Sequence, residues 1–246
     1  MRNIVSFRWS FLLALLLLLC SACASSGGTT TTTPAPTAPA TQPVSSQQIL
    51  AGPVTYVALG ASDAVGVGTS QPTTQGYVPL IEAHLPQGSH LINLGVSGIR
   101  LPEAMQQELP VALTTNPKLV TIWLVANDFV GGTPYNTYMQ DLDSLLKQLR
   151  SGTKARIVMA NLPDLTLLPS FANLSANKKS ATVTEIKRWN AQISLIAARY
   201  HVTLVDLFAH NSEITSHPDY ISGDGFHPSA KGYAQLATLF WQGITQ

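Results

Sequence analysis

From residue 49 to the C terminus, short apolar runs rich in β-branched residues alternate with longer segments whose apolar residues recur at helical spacing. This alternation constrains the fold more than any other feature. Strands separated by helices run parallel, and a parallel sheet needs helices on both faces to keep it from water. The spacing predicts strands over residues 54–59, 91–94, 119–125, 156–160 and 202–205. Helices are expected over 76–85, 101–109, 135–149, 182–200 and 230–241. In the third of these, Tyr138, Leu142, Leu145, Leu146 and Leu149 share one face. One α/β domain over residues 49–246 is therefore expected, with its site at the carboxyl ends of the strands.

The residues before that domain are of two other kinds. Arg2 and Arg8 precede an almost pure leucine run that ends at Cys20, too short for the roughly 20 residues that span a bilayer. Residues 1–22 have the pattern of a signal peptide. Ser21 and Ala22 before Cys23 resemble the lipobox of bacterial lipoproteins, which implies cleavage before Cys23 and acylation of its thiol; Cys20 stands where that motif prefers leucine. An uncut anchor and ordinary secretion are the alternatives. Residues 23–48, with five consecutive threonines and then alternating Pro, Ala and Thr, cannot bury a core and read as a flexible linker. Extended at about 3.1 Å per residue, they reach up to roughly 75 Å. The expected location is extracytoplasmic, on a bacterial membrane through the lipid.

Composition removes several classes of function. With 14 basic and 13 acidic residues and a net charge of +1, the chain has no basic field for nucleic acid. Both cysteines lie before residue 24, so the domain has no disulfide and no thiolate metal site. His84, His90, His201, His210 and His217 have no partner at metal-ligand spacing. Catalysis there must use oxygen and nitrogen groups. A monomer is expected.

Four segments at predicted strand ends carry such groups. Gly60-Ala61-Ser62-Asp63 places a serine in the turn after the first strand, either as a nucleophile or as an ordinary turn or cap residue. Asn93-Leu94-Gly95-Val96-Ser97-Gly98 follows the second, its two glycines permitting a tight turn and close backbone approach. Val125-Ala126-Asn127-Asp128 follows the third and offers a side-chain amide, with Asp128 bracing the loop. Near the end, Asp224 and His227 are three residues apart, so that one turn can bring carboxylate against imidazole and fix its tautomer. A capping aspartate beside a surface histidine fits the same spacing. Loops alone do not account for all four recurring in this order.

Together these segments resemble the SGNH (GDSL-type) hydrolase family over the whole folded domain. The resemblance implies a three-layer α/β/α sandwich around a five-stranded parallel sheet, flavodoxin-like, and a serine esterase of carboxylic esters of lipids or small acyl groups. It implies Ser62 as nucleophile, His227 as general base and Asp224 as its orienting carboxylate. Ser62 and Gly98 would donate their backbone N–H groups, and Asn127 its side chain, to the oxyanion. No metal and no organic cofactor is required. A carbohydrate O-deacetylase of the same family, or a silent surface binding lipoprotein, are the other readings. Two positions depart from the family pattern: Ala61 where Asp usually precedes the serine, and Val125 where a glycine usually lets substrate approach.

Overall fold

The computed structural model describes residues 43–246; the signal pattern, Cys23 and most of the linker lie outside the described residues. Five strands form one parallel sheet: β1 (Thr55–Gly60), β2 (His90–Asn93), β3 (Leu119–Trp123), β4 (Arg156–Ala160) and β5 (Thr203–Val205). Their order in the sheet is β2-β1-β3-β4-β5, the flavodoxin-like arrangement whose direction of winding reverses between β1 and β3. β1 and β3 sit centrally and are buried almost throughout, as their largely apolar character requires, and the one buried hydroxyl of β3, on Thr121, pairs with that of Tyr56 at 2.8 Å.

The helices are α1 (Ser46–Leu50), α2 (Ser62–Val65), α3 (Pro72–Gln75), α4 (Tyr77–Glu82), α5 (Leu101–Gln107), α6 (Leu109–Thr114), α7 (Ala126–Val130), α8 (Tyr135–Gly152), α9 (Ala176–Arg199), α10 (Asn211–Ser216) and α11 (Ala230–Thr245). Helices α4 and α11 pack together, with α11 lying against β4 and β5. On the opposite side α5, α6 and α9 gather around α8. The first layer is sealed by Tyr77, whose ring stacks on Phe240 at 5.0 Å and meets Trp123 edge-on at 6.2 Å. The second is sealed by Trp189, packed 4.7 Å from Tyr138 and edge-on to Phe129 at 5.2 Å. The result is the expected three-layer α/β/α sandwich.

Element positions follow the periodicity, and their boundaries do not. The segment 101–109 is two helices meeting at Glu108, because Pro110 suits the first turn of a new helix and not the interior of an old one. Helix α9 begins six residues before residue 182, where Ser175 caps it by accepting from the Lys178 N–H. The linker boundary at 48 also moves. Ser45 and Gln48 form a reciprocal capping box that starts α1, Ile49 is fully buried, and the Val44 N–H donates to the Lys154 carbonyl. The domain therefore begins near residue 44.

Candidate active site

The four segments meet at the carboxyl edge of the sheet, around the reversal between β1 and β3. β1 ends at Gly60, and Ser62 opens α2 in the first helical position, where an N–H has no partner within its own helix. The His227 loop arrives from 165 residues away. It is a closed turn: the Ser222 N–H donates to the His227 carbonyl at 2.8 Å, and the Gly225 N–H to the Ser222 carbonyl at 3.0 Å with Gly225 at φ +75°. Gly68, at φ +100°, passes directly beneath. A Cβ there would stand 2.5 Å from the Pro228 carbonyl oxygen and 3.0 Å from the His227 Cβ, so only glycine lets the loop settle.

Within that turn Asp224 and His227 are in contact. Asp224 Oδ2 lies 2.7 Å from His227 Nδ1, and His227 Nε2 lies 2.9 Å from Ser62 Oγ. Asp224 Oδ1 accepts from the Ser222 hydroxyl at 2.8 Å and from the Phe226 and His227 N–H groups at 2.8 and 2.9 Å. Burial pushes the Asp224 carboxyl upward, but these backbone and side-chain donors outweigh it and hold the group well below the usual carboxylate range. A permanently ionised Asp224 against Nδ1 leaves the proton on that nitrogen and presents Nε2 to the serine as an acceptor.

The candidate donors are Gly98, Ser62 and Asn127. Gly98 is exposed at φ +81°. Neither its N–H nor that of Ser62 has a hydrogen-bond partner among the described residues. Asn127 sits in the second position of α7 and spends one amide hydrogen on the Ile99 carbonyl at 2.9 Å, which fixes the amide and leaves its other hydrogen. Its neighbour Asp128 is buried and accepts from the Leu101 N–H at 2.9 Å and the Thr133 hydroxyl at 3.0 Å. Adjacent residues of α7 thus hold both ends of the segment 99–101, and through it Gly98. Asp128 braces the loop that carries Asn127 only through Thr133; its bond to Leu101 holds the Gly98 segment instead.

The sequence profile of the GDSL-like Lipase/Acylhydrolase family matches residues 58–235, well over half of the chain. The chain belongs to that family. It is a serine hydrolase acting on ester bonds. A search of curated proteins finds no match. Among solved structures, that of TesA is 22% identical and covers 77% of this chain and 97% of its own at a TM-score of 0.61. A putative GDSL-like lipase from Parabacteroides merdae is 19% identical, with 79% and 97% covered and a TM-score of 0.65. An acetylxylan esterase from Geobacillus stearothermophilus is 18% identical, with 79% and 96% covered and a TM-score of 0.62. At these identities the likeness is one of fold.

The two departures from the GDSL pattern are both absorbed by the core. Val125, the residue before α7 with φ −144°, is buried in the core. Ala61 is buried as well. Three polar residues close to the site were not singled out from the sequence. Asn93 donates to the Ala64 carbonyl at 2.7 Å and accepts from the Gly95 N–H at 3.1 Å, tying the serine turn to the Gly98 loop. Glu108 accepts from the Gly60 N–H, and Asp63 is buried directly after Ser62. The helical period carried a signal for Glu108, since it repeats after Leu101 and Ala104 on the buried face.

Proposed function

We propose that the chain hydrolyses short aliphatic carboxylic esters through an acyl-enzyme on Ser62. The observation that carries this reading is the continuous chain from Ser62 Oγ through both nitrogens of His227 to Asp224, together with N–H groups of Ser62 and Gly98 that have no partner among the described residues. His227 Nε2 takes the Ser62 proton as Oγ bonds to the ester carbonyl carbon, and the carbonyl oxygen becomes an oxyanion between Ser62 N–H, Gly98 N–H and the free amide hydrogen of Asn127. Collapse breaks the bond to the alcohol, which leaves with the proton from His227. Water then attacks the acyl-enzyme, passing a proton to His227 that returns to Ser62 Oγ as the acid leaves. Asp224, ionised throughout, supports each transient imidazolium.

Acyl choice is supported by a chamber beside the site, of about 100 Å³, lined mainly by apolar side chains including Trp123, Leu165, Leu168 and Phe226. Such a lining favours an aliphatic group over the polyhydroxylated ring of a sugar. The N-terminal pattern supports a mature protein that begins at lipidated Cys23 and works outside the cytoplasm. Ser62→Ala and a serine-directed organophosphorus reagent test the assignment: the wild type is labelled at Ser62, and the variant folds but loses activity by several orders of magnitude. Labelling at another serine, or full activity in the variant, removes it.

A further inference from the structure

The chamber beside the site has a polar feature that simple ester hydrolysis leaves unused. Its walls include Asp63, Ala126 and Phe226, the chain neighbours of Ser62, Asn127 and His227, so it abuts the reacting groups. Three of its polar residues satisfy one another. His210 Nδ1 lies 2.7 Å from Glu213 Oε1, and the Gln235 amide donates to Glu213 Oε2 at 2.7 Å. Asp63 is different. It is only 8% exposed, and among the described residues its carboxylate accepts only from its own backbone N–H. Among the described residues no lysine or arginine lines the chamber.

A buried carboxylate whose only donor is its own backbone N–H is costly to keep, because desolvation is repaid only in part. The nearest opposing charge is that of His227, and it exists only when the imidazole is protonated. Burial pushes the Asp63 carboxyl upward, and a protonated His227 opposes the rise. A group that enters with N–H donors and positive charge resolves this, provided its body suits apolar walls. The size limits that body: engineered cavities of about 150 Å³ hold benzene, so about 100 Å³ matches a chain of a few carbons.

We propose that this chamber is a recognition pocket for a primary ammonium on a short aliphatic segment, held by Asp63, and that the preferred substrates are esters carrying such a group. The proposal rests on the esterase reading and narrows its substrate class. The ammonium forms a charge-assisted hydrogen bond to the Asp63 carboxylate while its carbons lie against Leu165, Ile214 and Leu236. Fatty esters with no donor leave Asp63 unpaired and bind less well.

The probes are n-butylammonium and its near-isostere n-butanol. Each is titrated calorimetrically into Ser62→Ala, which requires no turnover, and used as a competitor of p-nitrophenyl acetate hydrolysis by the wild type. At neutral pH butylammonium should bind about tenfold tighter than butanol or better. Asp63→Asn, checked for folding by circular dichroism, should erase the difference, and Leu236→Trp, which fills the chamber, should weaken both probes. Equal affinities in the Ser62→Ala protein, or a preference that survives Asp63→Asn, overturns the proposal. Ammonium binding with no hydrolysis of any ester would uphold the pocket and remove the esterase reading, so the two fail separately.

Discussion

Glu108 Oε2 accepts from the backbone N–H of Gly60 at 3.0 Å, across 48 positions of sequence, and so pins the end of β1 two residues before Ser62. Glu108 is almost wholly buried, and its other oxygen has no partner among the described residues. Burial pushes its carboxyl from 4.5 up to about 8, against the lowering effect of the Gly60 N–H. At neutral pH the group is a neutral acid whose carbonyl oxygen holds β1.

Stability should carry the mark of that proton. A carboxyl whose folded value lies above its unfolded one contributes fully below about pH 4.5, and the contribution is lost as pH rises toward about 8. Between those limits the wild type should lose stability relative to Glu108→Gln by up to about 1.4 kcal/mol per pH unit, flattening above. Denaturant unfolding of both proteins from mildly acidic to mildly alkaline pH measures it. Parallel curves would show that Glu108 does not titrate in the folded state.

Asn127→Ala separates positioning from charge stabilisation. If the free amide hydrogen meets the developing oxyanion, kcat should fall by about 10² to 10³ with little change in KM. An unchanged kcat would place Asn127 among the loop braces, since its bond to the Ile99 carbonyl is already a structural one.

Gly68→Ala probes the seat of the histidine loop. The added methyl meets the Pro228 carbonyl oxygen at 2.5 Å on a backbone at φ +100°, so the turn must move and take His227 with it. The expected cost is about 1–3 kcal/mol of stability, together with a large loss of kcat. Thermal unfolding and organophosphorus labelling rates at Ser62 report the two effects; a normal labelling rate would mean that the loop reseats without moving the imidazole.

Cys23→Ser addresses location. The mature wild type should begin at Cys23, carry more than one acyl chain and sediment with membranes, because a single chain binds only marginally. The variant should be released or misprocessed. Intact mass of the wild type decides it, and an unlipidated chain beginning beyond Cys23 would indicate plain secretion.

Periodicity made the sandwich legible because burial on two faces forces uninterrupted apolar strands, and a helix facing the sheet must repeat its apolar residues every three or four positions. Val120 and Ile122 in β3, or Leu142 and Leu146 in α8, announce their places without any knowledge of neighbours. The candidate serine, glycine, asparagine and Asp–His groups were legible for a related reason: each sits where a strand ends, and the Asp224–His227 spacing closes within one turn. The supporting groups were not. Glu108 meets Gly60, and Asn93 meets Ala64, only because parallel pairing brings β1, β2 and the helix after it to one edge. Nothing local marks Asp63 as buried, for its surroundings come from β3, α11 and the loops around α10. Hydrophobic pattern is a property of one segment and its solvent exposure, so it can be read along the chain. Burial of a single charge is a property of everything that folds over it, and it exists only once distant segments have packed.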